Sequence, residues 1–221
     1  MGFQKTSIGI GDYMEKYVFN LNDCDSLPGK LIAYWMTKNF ITIFKNSKKL
    51  KNEFKMFSGI KTGNNEAFLR FWFEVTYTSI CLNPQIKDES SLKWRFYNKG
   101  GGYKKWYGGY ENVINFANNG KEIKDKIDKN TYRLRDPQNY YKEAIIWPLI
   151  GDVRFSARIM PSCVLSDVAS NTIFTDNQYL LAFMNSVVFN EAIKYINSTV
   201  SYPIDSVENV PFILDNNDSI R

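Results

Sequence analysis

The sequence predicts an α+β domain, with a mixed or antiparallel sheet, flanking helices and a long buried helix near the C-terminus. Three observations predict it. Strand-like segments at 68–77, 93–97, 141–147 and 153–159 interleave with helical patterns but follow no regular βαβ rhythm. Between about 176 and 196, Leu180, Leu181, Phe183, Met184, Val187, Val188, Ala192, Ile193 and Ile196 cover most of two helical faces, so that helix must be largely buried. A chain of 221 residues, 44% hydrophobic and 16% aromatic, suffices for one domain with a core, or one domain with an appendage.

Each element has its own local reason. Pro28-Gly29 punctuates a turn before the apolar run of SLPGKLIAYWM. Thr37 is placed to cap a helix whose apolar residues Phe40, Ile43 and Phe44 share one face. Leu50, Phe54 and Phe57 continue as an amphipathic segment bearing Lys48, Lys49, Lys51 and Lys55. Gly59, Gly63 and Asn64-Asn65 break the period with a turn-rich loop. Phe68 to Tyr77 is aromatic and β-branched, as strands are. GKEIKDKIDKN reads as a short exposed helix with Ile123 and Ile127 at i, i+4. In 153–159, Val153, Phe155, Ala157 and Ile159 alternate with Arg154, Ser156 and Arg158, which puts both arginines on one polar face of a half-buried strand. Thr175 and Gln178 have capping-box spacing at the start of the last helix.

Composition narrows the chemistry. The chain has no histidine, which excludes a Ser-His-Asp or Cys-His site and a histidine-metal nuclease. Cys24, Cys81 and Cys163 are odd in number and far apart, so they fit reduced, mostly buried thiols rather than a zinc knuckle or a disulfide framework. No apolar run approaches the ~18 residues of a membrane span, and the N-terminus lacks a secretory layout, so a cytoplasmic protein without a membrane partner is expected. The net charge is +5, and between 93 and 111 the cations Lys93, Arg95, Lys99, Lys104 and Lys105 face one acid, Glu111.

Within that stretch lies KGGGYKKWYGGY, residues 99–110, where glycine, aromatic and lysine alternate. Lysines neutralise phosphates and release counterions. Trp and Tyr can stack on bases or wedge into a groove. The same composition also fits a structural hairpin whose aromatics pack on the sheet beneath solvated lysines. A nucleotide loop is the poorer reading, because Gly100-Gly101-Gly102 has neither GxxxxGK[ST] nor GxGxxG spacing. Asn83-Pro84-Gln85 is not the Asn-Pro-Pro-aromatic motif of amino-methyltransferases. Glu53 and Lys55 supply half of a carboxylate-nuclease motif, but Glu53 sits in a helical pattern, and a helical surface is the better reading.

Taken in order, the blocks LPGKLIAYWMTKNF, GIKTGNNEAFLRFWFEV, KWRFYNKGGGYKKWYGGYENVINFANNGKEIK, YYKEAIIWPLI, FSARIMPSCVLSDVASNTIF and NQYLLAFMNSVVFN resemble the C-terminal part of the PglX family. These are adenine-specific DNA methyltransferases of BREX phage-defence systems. More distantly, the blocks resemble target-recognition domains of fused restriction-modification enzymes and type I specificity subunits. The resemblance runs from about Leu27 to Phe212 and implies a target-recognition-domain-like fold over 27–214, an N-terminal segment 1–26 and a tail 215–221. It implies a fragment or detached module without catalytic residues. S-adenosylmethionine and methyl transfer would belong to a separate catalytic domain of the parent enzyme, and this chain would hold no cofactor or metal.

The partners then expected are double-stranded DNA, that catalytic domain, other BREX subunits and an acidic phage protein mimicking DNA. The loop of Lys61, Thr62, Gly63, Asn64 and Asn65 matches the family's TGDN-like turn, whose amides bond adenine edges or phosphates, or only shape the turn. Lys99, Tyr103, Lys104, Lys105, Trp106 and Tyr107 would meet the DNA backbone and groove. Arg154 and Arg158 would read guanine or hold phosphate, or pair with acids such as Asp152. A protein-interaction module and a small carboxylate nuclease using Glu53 and Lys55 are the rival classes.

Overall fold

A computed structural model of the chain describes residues 25, 27–30, 32, 35–83, 85, 92–151 and 154–213. The expected N-terminal segment and tail, Cys24 and the Asp152-Val153 pair lie outside the described residues, apart from Asp25. Among the described residues, two four-stranded sheets and seven α-helices make an α+β architecture. One sheet has the order β1 (Met56–Ser58), β8 (Ser170–Ile173), β5 (Ala144–Pro148), β6 (Arg158–Met160), and all its pairs are antiparallel. The other runs β2 (Leu69–Phe71), β4 (Asn112–Asn115), β3 (Trp94–Asn98), β7 (Val164–Ser166), and only its β3–β7 pair is parallel. The expectation of a mixed or antiparallel sheet is met in both forms.

Period-two alternation distributes β5 between two cores. Ile145 and Trp147 face a core shared with α1 (Lys38–Asn46), α5 (Gln178–Met184) and α6 (Val187–Ile196). Ala144 and Ile146 face the other way, with Met160 and Val164, towards Phe96 of the second sheet. On that sheet Tyr97, Ile114 and Leu165 point outward again, under Phe68 of α3 (Asn65–Phe68) and Ile123 of α4 (Lys121–Lys126). A strand buried on both faces reads as a continuous apolar run, as AIIWP does. Two further short helices are α2 (Leu50–Glu53) and α7 (Ile204–Val207).

Local signals hold where the chemistry is local. Thr37 Oγ1 accepts from the Phe40 amide at the start of α1. α4 forms as expected, with Ile123 buried and Ile127 at its C-cap. Several expectations are corrected. The lysine-rich segment after Leu50 is one helical turn, α2, followed by strand β1. Residues 68–77 hold only the three-residue β2, after which the chain turns through two 3-10 turns. The strand expected at 141–147 starts at Ala144, because Tyr141 has a φ of 60° and cannot sit in a ladder.

The helix expected at 176–196 is two helices, broken at Asn185-Ser186, and its burial is partial, because Val187 and Val188 are exposed. Asn177, rather than a Thr175–Gln178 box, caps the first through a bond from the Leu180 amide, and Ser186 caps the second through the Phe189 amide. The break also accounts for the shortness of β6. Asn185 Oδ1 accepts from the Ala157 amide at 3.0 Å, its Nδ2 donates to Ala157 O at 2.8 Å, and Asn190 Oδ1 accepts from the Phe155 amide. Side-chain amides thus take the place of a neighbouring strand along 155–157. Replacing Asn185 with Ala strands the buried Ala157 amide, which is expected to cost about 1–3 kcal/mol. A urea titration should show a lower midpoint with an unchanged m-value.

Candidate nucleic-acid interface

β3 and β4 are antiparallel neighbours in register Tyr97↔Asn112, so residues 99–111 are an excursion from one hairpin. The loop does not hang free. The Trp106 amide donates to Ala157 O at 3.0 Å and Trp106 O accepts from the Ile159 amide at 2.9 Å, so the loop adds itself to the open edge of β6 in the other sheet. The Lys104 amide donates to Ser156 Oγ, and Lys105 Nζ donates to Asn185 O at the break between α5 and α6. No helix follows Gly100-Gly101-Gly102, so there is no helix N-terminus to receive a nucleotide phosphate, in line with the glycine spacing.

The root of the loop is a buried polar cluster. Asn98 Oδ1 accepts from the Gly100 amide at 3.0 Å, from Ser170 Oγ at 2.8 Å and from Arg158 Nη2 at 3.2 Å. Its Nδ2 donates to Gly109 O at 2.9 Å. Arg158 Nη2 also donates to Gly100 O, while Nε and Nη1 are buried with no hydrogen-bond partner among the described residues. Burial pushes the Arg158 guanidinium below its ordinary range, with Tyr110 and Glu111 opposing that shift. Arg158 is 0% exposed and Arg154 is exposed outside any strand, so the expected pair on one polar face does not form. The reason is that the loop 99–111 covers the edge on which Arg158 sits.

The tip is what the loop presents to solvent. Tyr103, Trp106 and Tyr107 are 45%, 51% and 65% exposed, so these aromatics do not pack beneath the lysines. Trp106 holds a φ of 71°, a left-handed conformation unusual for a bulky residue, and keeps its indole outward while its backbone stays in the ladder. Lys99 is half-buried at the start of the loop. Lys104 Nζ pairs with Glu111 at 2.5 Å, and that bond holds the Glu111 carboxyl below its ordinary range. Both partners are about half exposed, so the pair is weak and open to exchange. Lys105 Nζ lies 5.9 Å from the centroid of the Tyr103 ring.

The loop of 61–65 is placed differently. Thr62 is buried and its hydroxyl donates to Asn65 Oδ1 at 2.7 Å, while Asn64 Oδ1 caps α3 through the Ala67 amide. Those polar groups shape the turn, and Lys61 is the one cation of the stretch, exposed opposite Arg133. The two loops share a support. Ile60 pairs with Asp167 and accepts from the Tyr97 hydroxyl at 2.8 Å, and the Asp167 amide donates to Asn98 O. Among the described residues Glu53 joins no group of three acids, and it lies in α2 with its carboxylate 2.8 Å from Lys48 Nζ.

Three exposed aromatics were not singled out from the sequence. Phe71, Trp72 and Phe73 are 47%, 45% and 66% exposed, with the two phenyl rings stacked at 5.3 Å, and the Trp72 amide donates to Glu111 O. The available signal was their adjacency, since three successive bulky residues cannot all face one side of a strand.

No protein-family model matches the chain. It is 35% identical over 198 residues to the adenine-specific methyltransferase PglX of Lacticaseibacillus casei, covering 85% of this chain. It is 32% identical over 202 residues to the adenine-specific methyltransferase BrxX of Escherichia coli, covering 88%. The chain matches one region of the PglX and BrxX methyltransferases. It spans 16% of the length of each, so the likeness is to a part of those proteins. Among solved structures, the type IIL restriction-modification enzyme MmeI, determined in complex with DNA, shares the fold with a TM-score of 0.54 at 14% identity, over 77% of this chain and 26% of that one. Among the described residues no helix is long and apolar enough to cross a membrane.

The PglX-like region therefore carries its exposed basic aromatic tip on a root with little room. A Cβ on Gly109, at φ 92°, would lie 2.7 Å from Asn98 Nδ2 and 3.3 Å from the Arg158 guanidinium carbon, whereas one on Gly101 meets nothing within 4 Å. Gly101→Ala is expected to lose about 1–2 kcal/mol from its left-handed backbone alone. Gly109→Ala should lose clearly more, read as a larger fall in Tm and a shifted Trp106 emission.

Proposed function

We propose that this chain is a DNA target-recognition domain of an adenine-specific methyltransferase of the PglX type. It positions duplex DNA so that a separate catalytic part can methylate adenine at N6. The observation that carries this reading is the loop 99–111, whose root is buried and hydrogen-bonded while its tip offers exposed Tyr103, Trp106 and Tyr107 among Lys99, Lys104 and Lys105. A fixed root lowers the ordering cost of binding, and a cationic aromatic tip suits a polyanion with stacked bases. The methyltransferase relatives and the fold shared with a restriction-modification enzyme solved on DNA support it.

Each residue then has a role set by its placement. Lys99 and Lys104 meet phosphates, Lys104 exchanging Glu111 for a phosphate oxygen. Trp106 and Tyr107 touch the groove. Lys105, bound to Asn185 O, holds the tip at the break between α5 and α6, and Arg158 acts from beneath. Arg154 and the Asn64-Asn65 turn are flanking contacts, with Lys61 as the charge of that turn. S-adenosylmethionine and the methyl transfer belong to the catalytic part, and no residue of this chain takes part in the chemistry.

Fluorescence anisotropy of the chain on labelled duplex across a salt series tests the reading. Affinity should fall steeply with salt, and Lys104→Ala should lower the log-log slope by about one unit and weaken all sequences alike. Trp106→Ala should cost about 1–3 kcal/mol without the change in slope. Affinity flat in salt, or unmoved by both substitutions, would contradict it.

A further inference from the structure

Three cations outside the aromatic loop are held on one surface. The Lys61 amide donates to Arg133 O at 2.9 Å and the Arg133 amide donates to Lys61 O at 2.8 Å, so the two residues are directly opposed in an antiparallel pair. Opposed residues project to the same side, and Arg135, two further along, joins them. The alternation agrees: Ile60, Tyr132 and Leu134 turn into the core, while Lys61 and Arg133 are exposed and Arg135 is half-buried. Like charges directly opposed across strands are destabilising. None of the three is ion-paired with an acid among the described residues. Burial, and then the neighbouring Arg133, pushes the Arg135 guanidinium below its ordinary range.

The guanidinium groups are also set in place. Arg135 Nε donates to Gly59 O at 3.0 Å and Arg133 Nη2 donates to Ser58 Oγ at 3.2 Å. With Nε held by a backbone oxygen, the two terminal nitrogens of Arg135 are left as a planar donor pair, the group that can take a phosphate through two parallel bonds. The stretch 59–61 runs alongside 166–168, which runs alongside β3. Lys61 therefore leaves the same end of the second sheet as Lys99, two strand spacings away, with Arg133 one spacing beyond. That is about 10–15 Å, against a major groove of about 12 Å.

We infer that Lys61, Arg133 and Arg135 form a second phosphate clamp for duplex DNA, on the opposite side of the 167–169 turn from the basic aromatic loop. The duplex lies across both, one strand's phosphates on the loop and the facing strand's on the clamp. The inference rests on the DNA-binding reading above and adds the second contact to it. Neither arginine belongs to a motif, although the alternation in TYRLRD is visible in the sequence.

The full 221-residue chain and its Arg133→Gln/Arg135→Gln variant, measured on the same duplex over a salt series, decide it. The variant should bind at least about tenfold more weakly, with a log-log slope smaller by about two units. Its Tm should change little, because relief of repulsion with Lys61 offsets the loss of the bonds to Gly59 O and Ser58 Oγ. Arg135→Lys, which keeps the charge but loses the fork, should retain the slope and lose part of the affinity. Wild-type-like affinity and slope in the double variant, while the wild type binds in a salt-dependent way, would overturn the clamp and leave the first reading standing. A lowered Tm together with unchanged slope would assign the pair to the fold alone. A wild type that binds no duplex would overturn both.

Discussion

Arg158 and Asn98 form the junction on which the rest of the structure depends. Asn98 ends β3 in one sheet and Arg158 begins β6 in the other, and their side chains meet in the buried space where the loop 99–111 leaves and returns. An arginine without a carboxylate is a costly group to bury. Here its charge is spread over a backbone oxygen and an amide oxygen, and Tyr110 and Glu111 favour the charged form. The same two residues hold the root of the loop, at Gly100 and Gly109, and leave no room for a Cβ on Gly109.

The candidate site is arranged outward from that junction. The aromatic tip is held on both flanks: its backbone extends the edge of β6, and Lys105 reaches the carbonyl of Asn185 where the helices break. A sheet edge that would otherwise invite pairing with another chain is thereby covered by the loop itself. The second cationic surface stands on the same support, since Ile60 is bonded to both Tyr97 and Val168. A Cβ on Gly101 or Gly102 would meet nothing within 4 Å, so the tight packing of the loop lies at its root, at Gly100 and Gly109.

What the sequence made legible follows the range of the interactions. Thr37 at the start of α1, the buried face of α4 and the continuous apolar run of β5 are written within a few residues of where they act. The break at Asn185-Ser186 was not legible, because its cause is the amide of Asn185 bonding Ala157, far away in the chain. The alternation of 153–159 did not carry over: only Arg158–Met160 is strand, and Phe155 to Arg158 are all buried. Both Ala157 and Arg158 are buried, because a loop from the other sheet lies over the polar side. At the candidate site, composition identified the loop 99–110, and the family resemblance put it in context. Which of its aromatics are outside could only come from the backbone: Tyr103, Trp106 and Tyr107 are exposed, while Tyr110 bonds Ile159 O and packs between the sheets.

The central claim is that duplex DNA lies against the tip of 99–111. Photocrosslinking of the chain to a duplex bearing 5-iodouracil, with the linked peptides identified by mass spectrometry, tests it most directly. The account predicts links at Trp106, Tyr107 or Tyr103. Links confined to residues outside 99–111, or no links under conditions where the duplex is bound, would contradict it.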